Sequence, residues 1–221
     1  MIRERFANHI KKLENELAEM TALVASAINR SMEALKSRNI ADAKQIIEDD
    51  AIINQKRQLI EDNCIYLIAT QQPVAGDLRE IIAILNIITD LERMGDYAEG
   101  IAKIVVLLGK EPLVKPLDYI PKMAELAVSM LNRSIESFLK RDAKAAGAIC
   151  NEDDAVDALY DKTYQELIDC MIEDPSTIKK ATYLIWAAHN LERIADRTTN
   201  ICERIVFLVT GSMQTINVSK Y

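Results

Sequence analysis

Carboxylates that recur four residues apart along one helix face are the groups in this sequence best suited to chemistry. Glu92 and Asp96 lie roughly 40° apart at about 100° per residue, Glu99 falls beside Glu92, and Lys103 closes the line. A second row, Glu192, Asp196, Thr199 and Glu203, repeats the arrangement with His189 and Asn200 at its edge. Asp153 and Asp157 form a further four-apart pair, whereas Asp49 is followed at that spacing by Ile53. Like charges so spaced repel by a few tenths of a kcal/mol. A solvated face tolerates them at no further cost, and one such pair alone reads as that; two copies of the same row favour a site. Oxygen donors converging from neighbouring helices of a bundle select hard or borderline ions, Mg, Mn, Fe or Zn. The candidate metal ligands are therefore Glu92, Asp96, Glu99, Glu192, Asp196, Asn200, Glu203, Asp153, Asp157 and Asp49. The set around Glu92 is expected to be the poorer one.

These rows need long helices to carry them. Apolar residues recur at helical spacing over 6–35, 41–68 and 78–108, with breaks near Arg38-Asn39 and Gln72-Pro73. Residues 109–121 hold three of the five prolines and read as a linker. Helical patterns resume over 118–139, 143–172 and 176–210, where Asp174-Pro175 supplies a cap and a first helical residue. Three helices follow three, so the domains are expected at 1–110 and 111–221, the second with a short C-terminal tail.

The halves also repeat at residue level. Asn29-Arg30-Ser31-Met32-Glu33 recurs as Asn132-Arg133-Ser134-Ile135-Glu136, and Glu48-Asp49-Asp50-Ala51 as Glu152-Asp153-Asp154-Ala155. Asp90-Leu91-Glu92-Arg93-Met94-Gly95-Asp96 recurs as Asn190-Leu191-Glu192-Arg193-Ile194-Ala195-Asp196. The expected architecture is all-α: two tandem homologous three-helix bundles with pseudo-twofold symmetry.

Composition bounds the function. With 49% hydrophobic residues over 221 positions the chain buries a core, and six Gly with 5% aromatics suit helices better than a sandwich or barrel. A net charge of −7 without a basic patch disfavours nucleic acid and anionic lipid. Cys64, Cys150, Cys170 and Cys202 lie in helical patterns without a CxxC pair, so buried free thiols in a reducing compartment are expected. The N-terminus is charged throughout, and no apolar run approaches the roughly 20 residues that span a bilayer. Cytoplasmic residence follows, with the membrane reached only through partners.

Gln72-Pro73-Val74-Ala75-Gly76-Asp77-Leu78-Arg79, followed by the 90–96 motif, closely resembles the signature of the PhoU family. The segment from Leu184-Ile185-Trp186 through the 190–196 motif and Arg197-Thr198-Thr199-Asn200-Ile201 to Phe207-Leu208-Val209-Thr210-Gly211 resembles that family's C-terminal helix. The resemblance spans nearly the whole chain. It implies a non-catalytic, often homodimeric adaptor that negatively regulates phosphate uptake and the phosphate-starvation response. Such an adaptor links the ATPase of a PstSCAB-type transporter, PstB, to a PhoR-type sensor kinase. The resemblance also implies multinuclear Fe, Zn or Mn clusters at E(D)xxxD motifs, here Glu92 with Asp96, Glu192 with Asp196, and Asp153 with Asp157. Gly100 stands where Asn200 does in the second copy. Arg79 is expected to pair with an acid of a neighbouring helix.

A helical-bundle carboxylate metalloprotein with a catalytic or metal-storage role is the main alternative. Di-iron sites of that kind use Glu-x-x-His from two helices, whereas the histidines here are His9 and His189, the latter preceding its glutamate. Nothing resembles a Gly-rich phosphate loop or a nucleophile elbow. A coiled-coil spacer is disfavoured by the proline breaks. Direct phosphate binding would need metal to reverse the charge of the acidic rows.

Overall fold

The computed structural model describes residues 2–212, all in helices, turns and short connections. The helices are α1 (Ile2–Ser37), α2 (Ile40–Gln71), α3 (Ala75–Leu108), α4 (Ile120–Lys140), α5 (Ala143–Cys150), α6 (Asp153–Glu173) and α7 (Ile178–Thr210), with one 3-10 turn, Pro175–Thr177. The expected tail, 213–221, lies outside the described residues. Among the described residues, no helix is long and apolar enough to cross a membrane.

Local chemistry sets the helix ends. Asn39 Oδ1 accepts the Asp42 N–H at 3.1 Å to start α2, and Asp142 Oδ1 accepts that of Ala145 at 2.9 Å to start α5. Gln72 and Arg141 turn left-handed at the ends of α2 and α4. Asp174 caps the 3-10 turn by accepting the Ser176 N–H, and α7 follows.

The one element that departs from expectation is 143–172, which divides into α5 and α6 at Asn151-Glu152. The Asn151 and Glu152 N–H groups turn back to the Ala148 and Ile149 carbonyls, at 3.2 and 3.0 Å, so α5 closes in a tight turn. Glu152 is held by Arg133 of α4, and Asp153 and Asp154 place acid in the first turn of α6, where the helix dipole favours it.

In the first bundle α1, α2 and α3 pack on one another. In the second, α4, α5 and α6 surround α7. Leu13, Leu17, Met20, Val24 and Ile28 are fully buried along one face of α1, as are Ile81, Ile84, Ile87 and Ile88 of α3. Each contributes about 1.5–3 kcal/mol by leaving water.

The bundles join chiefly through α3 against α7, and secondarily through α1 against α4. The main seam is antiparallel and two-fold in pattern. Asp90 accepts from Arg197 Nη1 at 3.2 Å and from Asn200, while at the other end Asn190 reaches Gly100 so closely that an added Cβ would stand 2.8 Å from its Nδ2. Gly100 and Asn200 therefore differ because their partners differ: one end needs room for an amide, the other a donor for a buried acid. At the α4 end, Arg141 binds Glu14 of α1 at 2.9 Å, binds Glu80 of α3, and lies 4.8 Å from the Phe138 ring centre.

Burial raises the Asp90 pKa, and Arg197 opposes that rise. Substituting Arg197→Met leaves Asp90 buried with the Asn200 amide and the charge of Arg204 but without its guanidinium hydrogen bond, and should destabilise the fold by about 3 kcal/mol in urea unfolding. Asp90→Asn in the same background should recover most of the loss.

Candidate metal centres

Two acidic clusters occupy corresponding places, one between α2 and α3, the other between α6 and α7. In the first, Asp50 of α2 faces the α3 row: its pKa is raised by burial and then by the charges of Glu99, Asp96 and Glu92. Asn54 Nδ2 donates to Asp50 Oδ2 at 2.7 Å. Gly95 brings the helices together here, since a Cβ would lie 3.1 Å from Ile53 Cδ1 and 3.2 Å from Asp50 Oδ1. Asp50, Glu99, Gly95 and Arg30 help line a cavity of about 120 Å³ at this point. On α3, Arg93 donates to Asp96 at 3.1 Å and Lys103 to Glu99 at 2.6 Å.

Asp49, the expected ligand from α2, borders the same cavity but is bound by Arg30 at 2.6 Å and by Gln45, which lowers its pKa. Its counterpart is not Asp153 but Glu152, which Arg133 holds in the same way. Both arginines meet an acid nineteen residues onward. The structural repeat is thus one residue out of step with the Glu-Asp-Asp-Ala match: Asp50 corresponds to Asp153, and Asn54, not Ile53, to Asp157. Asp50 is the residue that motif matching misses, and the recurring arginine is the signal that finds it.

In the second cluster, Asp153 and Asp157 of α6 oppose Glu192 and Asp196 of α7. Asp153 is only 3% exposed and Glu192 2%. Burial, then Asp157, Asp196 and Glu192, push the Asp153 pKa up to about 7. Burial and then Asp196 push Glu192 up to about 7 against the opposing effect of Arg193. Arg193 donates to Asp196 at 2.8 Å. His189 Nδ1 stands 3.4 Å from Glu192 Oε2, and burial lowers the imidazole pKa. Glu203 lies near the Cys150 thiol, and Asn200 is engaged with Asp90 at the seam. Cys64, Cys150 and Cys202 are buried as expected, while Cys170 is only partly so; none of the four is in a disulfide. Arg79 has a buried Nε without a partner among the described residues, and the acid beside it, Glu80, takes an arginine instead.

As the side chains stand, no three His, Cys, Asp or Glu groups among the described residues already enclose an ion. The donor chemistry nevertheless fits a cation. Asp50 Oδ1, Asp153 Oδ1 and Glu192 Oε2 are buried without a hydrogen-bond donor, the arrangement in which lone pairs carry a desolvation penalty that a positive charge would offset.

Two acids whose folded pKa is about 7 make the metal-free protein sensitive to pH. In the unfolded chain they ionise near their ordinary carboxylate values, so the folded state binds protons more tightly. Their stabilising effect is complete below those values and is lost as pH rises through about 7. In chelator, the melting temperature should therefore fall from pH 5 to pH 8, and Asp153→Asn with Glu192→Gln should flatten the profile. An unchanged slope would mean that these carboxyls titrate normally.

The PhoU domain model matches twice, over residues 17–105 and 120–205. The phosphate-specific transport system accessory protein PhoU homolog of Clostridium acetobutylicum is 38% identical over 218 residues, covering 98% of this chain and all of that one. The protein of the same name from Aquifex aeolicus is 40% identical, with 92% of each chain covered. Crystal structures of the phosphate transport system regulatory protein PhoU from Streptococcus pneumoniae and of PhoU from Pseudomonas aeruginosa each superpose with a TM-score of 0.88. They are 34% and 33% identical, covering 95% and 94% of this chain and 99% and 100% of theirs.

Proposed function

The chain belongs to the PhoU family, and we propose that it is a cytoplasmic, non-catalytic accessory regulator of phosphate-specific transport whose acidic clusters hold metal. The observation that carries the reading is correspondence along both repeats, in sequence and in fold, to proteins named as phosphate transport regulators. On this reading the protein links a PstB-type transporter ATPase to a PhoR-type sensor kinase, as a homodimer. It keeps phosphate uptake and the starvation response low when phosphate is plentiful, and it meets the membrane only through those partners.

Asp50, Glu92, Asp96 and Glu99 would hold Fe, Zn or Mn at the first cluster, and Asp153, Asp157, Glu192 and Asp196 at the second. Bound cations would supply the charge that ties α2 to α3 and α6 to α7. The adaptor reading is favoured over a catalytic one because the relatives are named as accessory and regulatory proteins of phosphate transport.

Two measurements test this. Deleting the gene should raise expression of phosphate-starvation genes in phosphate-rich medium, and unchanged expression would overturn the regulatory assignment. Elemental analysis should find Fe, Zn or Mn in the purified protein, absent when Glu92, Asp96, Glu192 and Asp196 are all replaced by Ala. Asp50→Asn should lower the metal content where Asp49→Asn leaves it unchanged.

A further inference from the structure

The two clusters share carboxylates but differ at one end. Beyond Glu192, one turn towards the start of α7, stands His189, whose ring lies 6.1 Å from that of Tyr160, one turn beyond Asp157 on α6. Helices α6 and α7 run antiparallel here, so the acidic row 153, 157 against 196, 192 continues directly into the pair 160 against 189. The corresponding first-repeat positions are Arg57 and Thr89. Arg57 donates to Glu61 at 2.9 Å, and the Thr89 hydroxyl donates to the Leu85 carbonyl at 3.0 Å. That end of the first cluster thus carries a cation and a hydroxyl committed to its own helix, and no nitrogen donor with a free lone pair.

We propose that His189 is a nitrogen ligand of the second cluster, making that cluster selective for Zn²⁺ or a similar borderline ion while the all-oxygen first cluster takes harder ions such as Mn²⁺. This rests on the metal reading of the clusters. Three observations carry it. Glu192 Oε2 is nine-tenths buried or more and accepts no hydrogen bond; His189 Nδ1 stands 3.4 Å from it and Arg193 Nε 3.5 Å, and of these two nitrogens the imidazole alone has a lone pair to offer a cation. Two ligand atoms each about 2.0–2.1 Å from a tetrahedral Zn²⁺ stand about 3.3–3.4 Å apart, so the pair is spaced as ligands of one ion and too far apart for a good hydrogen bond. The His189 side chain is 45% exposed, so an ion can enter from solvent at this end of a cluster whose Glu192 is closed off. The Tyr160 ring limits the swing of the imidazole, which is how neighbouring groups orient a ligating histidine. Imidazole suits Zn, Fe, Ni and Cu, whereas carboxylates alone suit Mg, Ca and Mn.

The chain has two histidines, so His9→Gln leaves His189 as the one imidazole. In that full-length background, Co²⁺ loading should produce a hyperfine-shifted, exchangeable imidazole N–H resonance that disappears on His189→Gln. By calorimetry His189→Gln should weaken Zn²⁺ binding at least about tenfold, a loss that even outer partners of a ligand can cause, and leave Mn²⁺ binding unchanged. Circular dichroism confirms that the variants fold. If Co²⁺ and Zn²⁺ bind both proteins alike with no such resonance, the carboxylate clusters stand and His189 is not a ligand. If neither protein binds Zn²⁺ or Mn²⁺ at all, the metal reading itself fails and this proposal with it.

Discussion

The antiparallel packing of α3 on α7 governs the rest of the molecule. Each helix has to serve two neighbours: one face meets the other repeat at the seam, and another carries the acidic row towards the middle helix of its own bundle. A long helix with an apolar stripe all along one side is what lets both demands be met at once. The seam is also where charge has been reconciled with burial. Asp90 is desolvated, and Arg197 and Asn200 answer it from the opposite helix. At the symmetric position the acid has become Asn190, which needs no cation, and its partner has become Gly100. A duplicated surface has thereby become a self-complementary one whose two ends are held by different means.

Burying carboxylates on the other faces of α3 and α7 follows from the same geometry. Once the seam fixes both helices, α2 and α6 must lie against the acidic rows. Their own acids, Asp50 and Asp153, then enter like-charged surroundings. The protein reduces the cost unevenly. In the first cluster Asn54 donates to Asp50, and Lys103 pairs with Glu99. In the second the amide is replaced by Asp157 and the lysine by Glu203, and both Asp153 and Glu192 are pushed up to about 7. Repulsion of this kind beside buried oxygens that accept no hydrogen bond is the feature a bound cation would relieve, and it sets the second cluster apart from an ordinary salt-bridged surface.

Much of this was legible in the residues alone. The six helical stretches, the proline-rich linker, the duplication and the rows on α3 and α7 all follow from spacing, because an exposed or buried helix face writes itself into every third or fourth position. The register of α2 did not follow. Glu48-Asp49-Asp50-Ala51 and Glu152-Asp153-Asp154-Ala155 match letter by letter, yet the structure sets Asp49 opposite Arg30 and Glu152 opposite Arg133. Aspartate and glutamate are interchangeable as arginine partners, so identity misled where role would not have: each arginine takes the acid nineteen positions later. The break at Asn151 was hidden for a related reason. The apolar periodicity runs through it, and what divides α5 from α6 is a pair of tight backbone hydrogen bonds, from the Asn151 and Glu152 N–H groups, that leaves no mark on that periodicity.

The two clusters differ in a consistent way on a shared frame. Helices α3 and α7 pack on one another along the seam and each carries an acidic row on another face, so the clusters differ in their side chains and not in the helices that hold them. The first carries positive and amide groups, Arg57, Asn54 and Lys103, beside its acids. The second has Tyr160, Asp157 and Glu203 at those places and His189 at the open end, where the imidazole stands 3.4 Å from a buried carboxylate oxygen. On the metal reading, clusters that share a scaffold but differ in net charge and donor type fill at different ion concentrations.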